Sequence, residues 1–475
     1  MQNEKLHVVM IPWLAFGHMI PFLELAKCLA KRGHRVSFIS TPRNIERLPP
    51  IPPNLSNLID LVPLVPPPVK GLPENAQATP DIEIDQMHLL KKLQDGLEGP
   101  ICTFLRNQGP TPDWIIYDIG VYWGPRVARS FGLPCAFFGL YSAATMSFIG
   151  PPSVLLANAE KPHNMTSPEQ LMVAPPWITI PTKVACRYHE AVKIVSLSYQ
   201  DPTQVNAEYR IGTTIQGCTL VALRTSIDYE PDWLHQLSQL YQKPILPLGF
   251  LSPSVPASLH EEENGKGNSI LEEIKWLDTQ KHASTVYVAF GSEFRLSQEQ
   301  VTELAFGLDL SQLPFLWAYR GDPAFLPIGF QERTKGRGIV RFGWAPQPTF
   351  LAHPSIGAFL THVGWGSTVE GLSFGKPLVM LPMIADQGLN TRVMEEKKVG
   401  LEVCRNERDG SFTRDAVSKA LRVVMVDKEG ECIRKNAKEM QNIFGDKGRH
   451  DQYIDEFVQY LIKHRGEGKT PKSVD

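Results

Sequence analysis

Short apolar runs alternate along the first third of the chain with stretches whose apolar residues recur near every third or fourth position. Residues 6–11 form one such run, residues 18–32 carry Leu23, Leu25, Ala26, Leu29 and Ala30 close to a 3.6-residue period, and residues 35–40 form a second run. Period and length together predict strand, helix, strand. The same reasoning predicts a helix over 82–107, a strand at 114–117, a helix at 121–131, a strand at 135–138 and a long apolar helix at 141–158, with 219–223 as the last strand of this series. Proline is dense between residues 49 and 80, including Pro66, Pro67 and Pro68, which predicts an irregular surface excursion.

Residues 244–268 then shift abruptly to Pro, Ser, Gly and charge, the composition of a linker. A second alternating series follows, with strands expected at 285–290, 315–319, 338–342, 357–360 and 378–381 and helices at 297–310 and 367–374. Helices at 415–426, 431–443 and 450–463 finish the chain. The pattern predicts two α/β lobes, 1–243 and 269–446, each a doubly wound parallel sheet covered on both faces. Such sheets bind ligands beyond the carboxyl ends of their strands, so facing lobes would share a cleft.

Composition narrows the chemistry. The 475 residues are 43% hydrophobic and 21% charged, an ordinary globular balance. Forty-eight Lys and Arg against 50 Asp and Glu give a net charge of -2, which supplies no footprint for nucleic acid or an anionic membrane. The seven cysteines are widely spaced with no C-x-x-C, so neither a disulfide framework nor a zinc finger is expected. Glu4 and Lys5 precede the first apolar run without a basic region or a cleavage site, and no window approaches the ~18 apolar residues of a spanning helix. A cytoplasmic protein with reduced thiols is expected.

Several catalytic patterns fail on inspection. The segment from Gly371 to Pro377 has too few residues between its glycines for a P-loop and Pro where a hydroxyl should hold magnesium. Val369 stands where a dinucleotide fingerprint starting at Gly364 needs Gly, and Trp365 and Val369 flank Ser367 where a nucleophile elbow needs two glycines. Neither His189 nor His260 has a second His at helical spacing, so no metalloprotease site is expected. What remains is Trp344, Ala345 and Gln347, then His362, Gly364, Trp365, Gly366, Ser367 and Glu370, then Asp386 and Gln387. An aromatic platform, glycines at a strand end, a hydroxyl at a helix N-terminus and an acid-amide pair suit a sugar nucleotide. Free N–H groups and the helix dipole near Ser367 favour a diphosphate.

Residues 344–387 resemble, in register from first to last, the plant secondary-product signature of family-1 UDP-glycosyltransferases. The resemblance extends over nearly the whole chain, including residues 12–22, and in detail is similar to the subgroup that adds a sugar to an existing glycoside. It implies the GT-B architecture, two facing Rossmann-like lobes with a cleft between them and a C-terminal helix, about 447–465, packed back on the first lobe. It implies that Trp344 stacks on uracil, Ala345 meets the base through its backbone, and Gln347 and Glu370 hold the nucleoside, Glu370 on the ribose hydroxyls. His362 and Ser367 would face the diphosphate, with Gly291, Ser292, Gly364 and Gly17 close by. Trp365, Asp386 and Gln387 would contact the hexose. One departure is Gly366, where the family commonly has Asn, so one side-chain contact to the donor is missing.

Transfer to a hydroxyl needs a base, and His18, at the end of the first strand, is the candidate. Asp118, at the end of strand 114–117, is placed in topology to orient it. Taken alone, His18 also suits a hydrogen-bonding residue at a helix start and Asp118 a helix N-cap; in the resemblance they match the catalytic His and its Asp partner. The expected reaction is a single displacement with inversion, converting an α-linked UDP-sugar into a β-glycoside. No metal or other cofactor is expected, since helix dipole, backbone N–H groups and His362 can bear the leaving group's charge.

Trp13, Phe16, Tyr122, Trp123, Tyr141, Met146 and Phe148 are the expected acceptor contacts, suited to a flat apolar body. The resemblance implies a terpenoid (steviol or triterpene) or flavonoid glycoside as acceptor and UDP-glucose as donor. UDP-rhamnose or UDP-xylose, or a bare aglycone, are the alternatives within the class. A non-catalytic binding protein is the alternative outside it, and no nucleic acid, no membrane insertion and a monomer are expected.

Overall fold

The computed structural model describes residues 5–159, 167–199, 205–252 and 270–466. Two parallel sheets carry the architecture. The first contains β1 (His7–Ile11), β2 (Arg35–Ser40), β3 (Ile59–Pro63), β4 (Trp114–Tyr117), β5 (Cys135–Gly139), β6 (Leu220–Leu223) and β7 (Ile245–Pro247), in the order β3-β2-β1-β4-β5-β6-β7. The second contains β8 (Thr285–Ala289), β9 (Phe315–Tyr319), β10 (Gly338–Phe342), β11 (Ile356–Thr361), β12 (Leu378–Met380) and β13 (Gly400–Glu402), in the order β10-β9-β8-β11-β12-β13. In each the strand order reverses beside the first strand, between β1 and β4 and between β8 and β11. That reversal opens a crevice at the carboxyl ends of the central strands. Every residue of β1, β4, β5 and β8 is buried, which is why these strands read as unbroken apolar runs rather than alternating ones.

Where the structure departs from the sequence expectation, a local cause is visible. The proline-dense stretch contains β3, tolerated because β3 is the edge of its sheet, where a missing N–H costs no ladder bond. The helix expected over 82–107 is divided into Met87–Asp95 and Glu98–Asn107 around Gly96. The helix expected over 141–158 breaks at Gly150, whose φ of 109° ends Ala143–Ile149 before Pro152–Ala159 begins. A Cβ at Gly150 would also lie 2.7 Å from the Trp177 indole. The first sheet continues one strand past 219–223, since Ile245–Pro247 pairs with β6; the remainder of the expected linker, 253–268, lies outside the described residues.

One apolar cluster crosses between the lobes, joining Tyr229 and Phe250 to Trp365 and Phe444. Phe250 and Phe444 stack at 3.8 Å and 7°. The last helix, Lys447–Lys463, returns to the first lobe, where Ile454, Phe457, Val458 and Leu461 enter the cluster formed by Val8, Met10, Phe22 and Trp114. The Trp114 indole N–H donates to Leu461 O at 2.9 Å.

Candidate active site

β1 and β4 are hydrogen-bonded neighbours with Ile11 opposite Tyr117, so the residues that follow them meet although they lie 100 positions apart. The helix Phe16–Lys31 starts immediately after β1 and places His18 in its first turn. His18 Nδ1 lies 2.8 Å from Asp118 Oδ2. The same carboxylate accepts the Trp13 N–H at 3.0 Å through Oδ2 and the Ile119 N–H at 2.7 Å through Oδ1. Asp118 is fully buried, and His18 keeps 16% of its side chain exposed. An ionised carboxylate on Nδ1 fixes the proton there and leaves Nε2 as the basic nitrogen, with no protein partner among the described residues. Burial acts to lower the His18 pKa; the Asp118 charge and hydrogen bond, with Glu293 and Asp386 farther off, outweigh it, and the net shift is upward. Tyr141 packs edge-on against the imidazole at 5.9 Å.

The second lobe repeats the arrangement at its own crevice. Thr361 pairs with Ala289, so the turn after β8 meets the turn after β11. Gly291 (φ 71°) and Gly364 flank the His362 ring: a Cβ at either would lie 2.7 or 2.6 Å from Nε2. Only glycine lets the imidazole occupy that slot. Burial pulls the His362 pKa to about 4, so the imidazole is neutral. The helix expected from residue 367 begins two residues earlier, as Trp365–Ser373 with Gly364 as N-cap, which puts Ser367 inside the first turn. Ser292 follows Gly291 on the loop after β8.

Gln347 and Glu370 face each other beside this helix. Gln347 Nε2 donates to Glu370 Oε2 at 2.7 Å and to Ser367 Oγ at 3.2 Å, while burial raises the Glu370 pKa against the bond from Gln347 and the charge of Arg224. Trp344 is 61% exposed, a flat aromatic surface open to stacking. The Ala345 carbonyl accepts the Gln347 N–H at 2.9 Å.

Asp386 and Gln387 open the helix Gln387–Glu396. Burial pushes the Asp386 pKa up to about 6. Its Oδ2 accepts from Asn390 Nδ2 at 2.7 Å, and the same amide donates to Val363 O at 3.1 Å. Asn390 Oδ1 accepts from Thr145 Oγ1 at 3.2 Å and Ser142 Oγ at 3.4 Å, so one buried amide ties Asp386 and its helix to the first lobe. The Gln387 side-chain Oε1 accepts the Met383 and Ile384 N–H groups at 2.8 and 3.0 Å, leaving Nε2 as the other end of the amide.

Some expected contacts are corrected by burial. The Trp365 indole lies in the interlobe aromatic cluster and donates to Arg224 O at 2.8 Å, so its side chain cannot face a hexose and only its backbone N–H remains. Trp123, Met146 and Phe148 are buried side chains of the first lobe's apolar cluster. Tyr122 packs under Arg210, and Phe16 under Arg47; Trp13 and Tyr141 are the aromatic residues the structure brings to His18 and Asp118. Glu293, Asn390 and Arg224 were not expected. Only Asn390 carried a signal, its i,i+4 spacing from Asp386 on one helix face.

No helix among the described residues is long and apolar enough to cross a membrane, and among them no cluster of three His, Cys, Asp or Glu side chains is placed to hold a metal ion. The family model described as UDP-glucoronosyl and UDP-glucosyl transferase matches residues 268–469. UDP-glycosyltransferase 91C1 of Arabidopsis thaliana is 43% identical over 472 residues, covering 99% of each chain. The Arabidopsis thaliana anthocyanidin 3-O-glucoside 2'''-O-xylosyltransferase is 33% identical over 97% of this chain and 98% of its own. A solved UDP-glucosyltransferase from Polygonum tinctorium superposes with a TM-score of 0.77 at 26% identity, over 97% of this chain and 100% of its own. With the two-lobe GT-B fold and a match along its whole length, the chain belongs to the family-1 UDP-glycosyltransferases of plants.

Proposed function

We propose that the protein moves a sugar, glucose first, from a UDP-sugar to a sugar hydroxyl of a terpenoid or flavonoid glycoside, with inversion at the anomeric carbon. The observation that carries this reading is the His18 Nδ1 to Asp118 Oδ2 contact of 2.8 Å, which leaves Nε2 free at the first lobe's crevice. Nε2 takes the acceptor proton as the acceptor oxygen bonds to the anomeric carbon and the bond from that carbon to the diphosphate breaks. Asp118 stabilises the imidazolium that forms. Trp344 supports uracil, Glu370 the ribose hydroxyls, and the first-turn amides of Trp365–Ser373 with neutral His362 the diphosphate, which bear the leaving charge without a metal. Asp386 and Gln387 Nε2 hold the hexose, while Trp13 and Tyr141 supply apolar surface for the acceptor. A glycoside as acceptor is supported by the likeness to a transferase named for anthocyanidin 3-O-glucoside. We place the enzyme in the cytoplasm as a monomer.

The test is turnover of the purified protein with UDP-glucose, UDP-rhamnose and UDP-xylose against steviol, triterpene and flavonoid acceptors, each offered as aglycone and as monoglycoside, read by mass. Gain of one sugar on the glycosides alone is the expected result. Transfer to bare aglycones would overturn the acceptor reading, and UDP binding with no transfer to any acceptor would move the protein to the non-catalytic alternative.

A further inference from the structure

Arg224 follows β6 in the first lobe, yet its guanidinium borders the nucleotide cradle of the second. The residue is 3% exposed. Its backbone is held on both sides, the N–H donating to Gly139 O at 3.0 Å and the carbonyl accepting from the Trp365 indole at 2.8 Å. Nε donates to Phe250 O at 2.6 Å. Among the described residues neither Nη1 nor Nη2 donates to a protein acceptor. Burial pulls the Arg224 pKa to about 10, and only Glu370 and Glu24 act to raise it, so the cation is desolvated with no carboxylate in direct contact. A buried charge of this kind is costly unless something pairs with it.

The direction of the fork identifies its partner. Nη1 lies 3.6 Å from the position a Cβ would take at Gly366, and apart from that residue's chain neighbours and its own helix backbone no other atom lies within 4 Å of that position. Gly366 therefore opens onto the cleft, with the guanidinium as the wall of the opening. The amides of Trp365, Gly366 and Ser367 precede the first intrahelical bond, which Thr368 makes to Gly364 O. A fixed, forked cation and a row of free N–H groups converge on one small volume, an arrangement suited to an oxyanion with several oxygens.

We propose that Arg224 is a donor-binding residue that closes the diphosphate site from the first lobe, its Nη1 and Nη2 hydrogen-bonding a phosphate oxygen beside Gly366. Gly366 leaves the space through which the guanidinium reaches the anion. This inference rests on the UDP-sugar reading of the cradle.

Binding of UDP and of uridine to the intact protein, measured by calorimetry, tests it, with Arg224→Gln and Arg224→Lys compared to the wild type. Arg224→Gln is expected to weaken UDP about 10- to 100-fold, the range for a lost charge-assisted bond, while uridine affinity stays unchanged. Arg224→Lys keeps the buried charge but not the fork and is expected to fall between. Unchanged uridine binding also reports that the cradle is folded, and Arg224→Lys carries the test if Arg224→Gln does not fold. Equal losses of UDP and uridine would overturn the proposal, because Arg224 would then only balance Glu370, and so would UDP affinity that does not change. A wild type that binds neither ligand would overturn the UDP-sugar reading itself, whereas normal wild-type binding with unaltered variants would overturn the Arg224 role alone.

Discussion

Asp118→Asn separates a catalytic partner from a loop anchor, because the carboxylate accepts three N–H groups with two oxygens. Oδ2 takes Trp13 N and His18 Nδ1, and Oδ1 takes Ile119 N. An amide has only one oxygen. With that oxygen toward Ile119, the amide NH2 faces the Trp13 N–H and turns His18 Nδ1 into an acceptor, which moves the ring proton to Nε2 and removes the base. With the oxygen toward Trp13 and His18, the tautomer survives but the charge is lost and the Ile119 N–H is buried against another donor. Either orientation orphans a backbone N–H, expected to cost about 1–3 kcal/mol of stability, and removes a charge-assisted bond of about 1.5–3 kcal/mol from the imidazolium. In turnover that second loss corresponds to about 10- to 150-fold in kcat. The pH dependence carries the sharper test. A base works unprotonated, so kcat/KM falls as pH drops through the His18 pKa, which Asp118 raises. Without that charge burial dominates, and the acid limb is expected to move to lower pH as the maximum falls. The assay is kcat/KM against pH for wild type and variant, with thermal unfolding of both. A variant that loses stability yet keeps the limb in place and kcat within about threefold would show that Asp118 only anchors the loop and would refute the reasoning.

Four further outcomes are expected. Gly291→Ala places a Cβ 2.7 Å from His362 Nε2 at a φ of 71°, and should cost about 1–3 kcal/mol with a raised KM for the donor, checked by thermal unfolding and initial rates. Trp344→Ala removes an exposed aromatic face and should weaken UDP by about 1–3 kcal/mol with no loss of thermal stability, read by calorimetry. His362→Gln keeps a neutral donor where burial holds the imidazole uncharged, so UDP affinity should stay within about threefold, whereas His362→Ala should lose about tenfold; a large loss in the Gln variant would show that charge is required. Asn390→Ala strands Asp386, Val363 O, Ser142 and Thr145 at the lobe interface and should lower stability by about 2–4 kcal/mol, seen in denaturant unfolding.

The central strands were legible because a strand buried on both faces is apolar at nearly every position; His18 was legible because it opens the first helix after such a strand, and Asp118 because it directly follows one. The signature residues between 344 and 387 are contiguous enough for the sequence to display them together. Edges and breaks were harder to see. β3 lies among prolines that only an edge accepts, and β7 has three residues, too few for a periodicity. Trp123, Met146 and Phe148 have the same apolar character whether they line a cleft or fill a core, and only packing assigned them to the core. Arg224 and Asn390 act across the lobe interface, on partners more than 100 residues away, where no local pattern reports on them.

The return of the last helix to the first lobe orders the folding of the chain in time. Ile454, Phe457, Val458 and Leu461 cover apolar residues of β1 and of the helix Phe16–Lys31, so the first lobe lacks part of its own surface until nearly the whole polypeptide has been made. During synthesis the seven strands through Ile245–Pro247 leave the ribosome with an uncovered apolar face and must wait for the second lobe and Lys447–Lys463 before that face closes. The lobe that emerges first is therefore the one completed last, and a nascent chain cut short before residue 454 would carry an exposed sheet face that chaperones or other chains can engage.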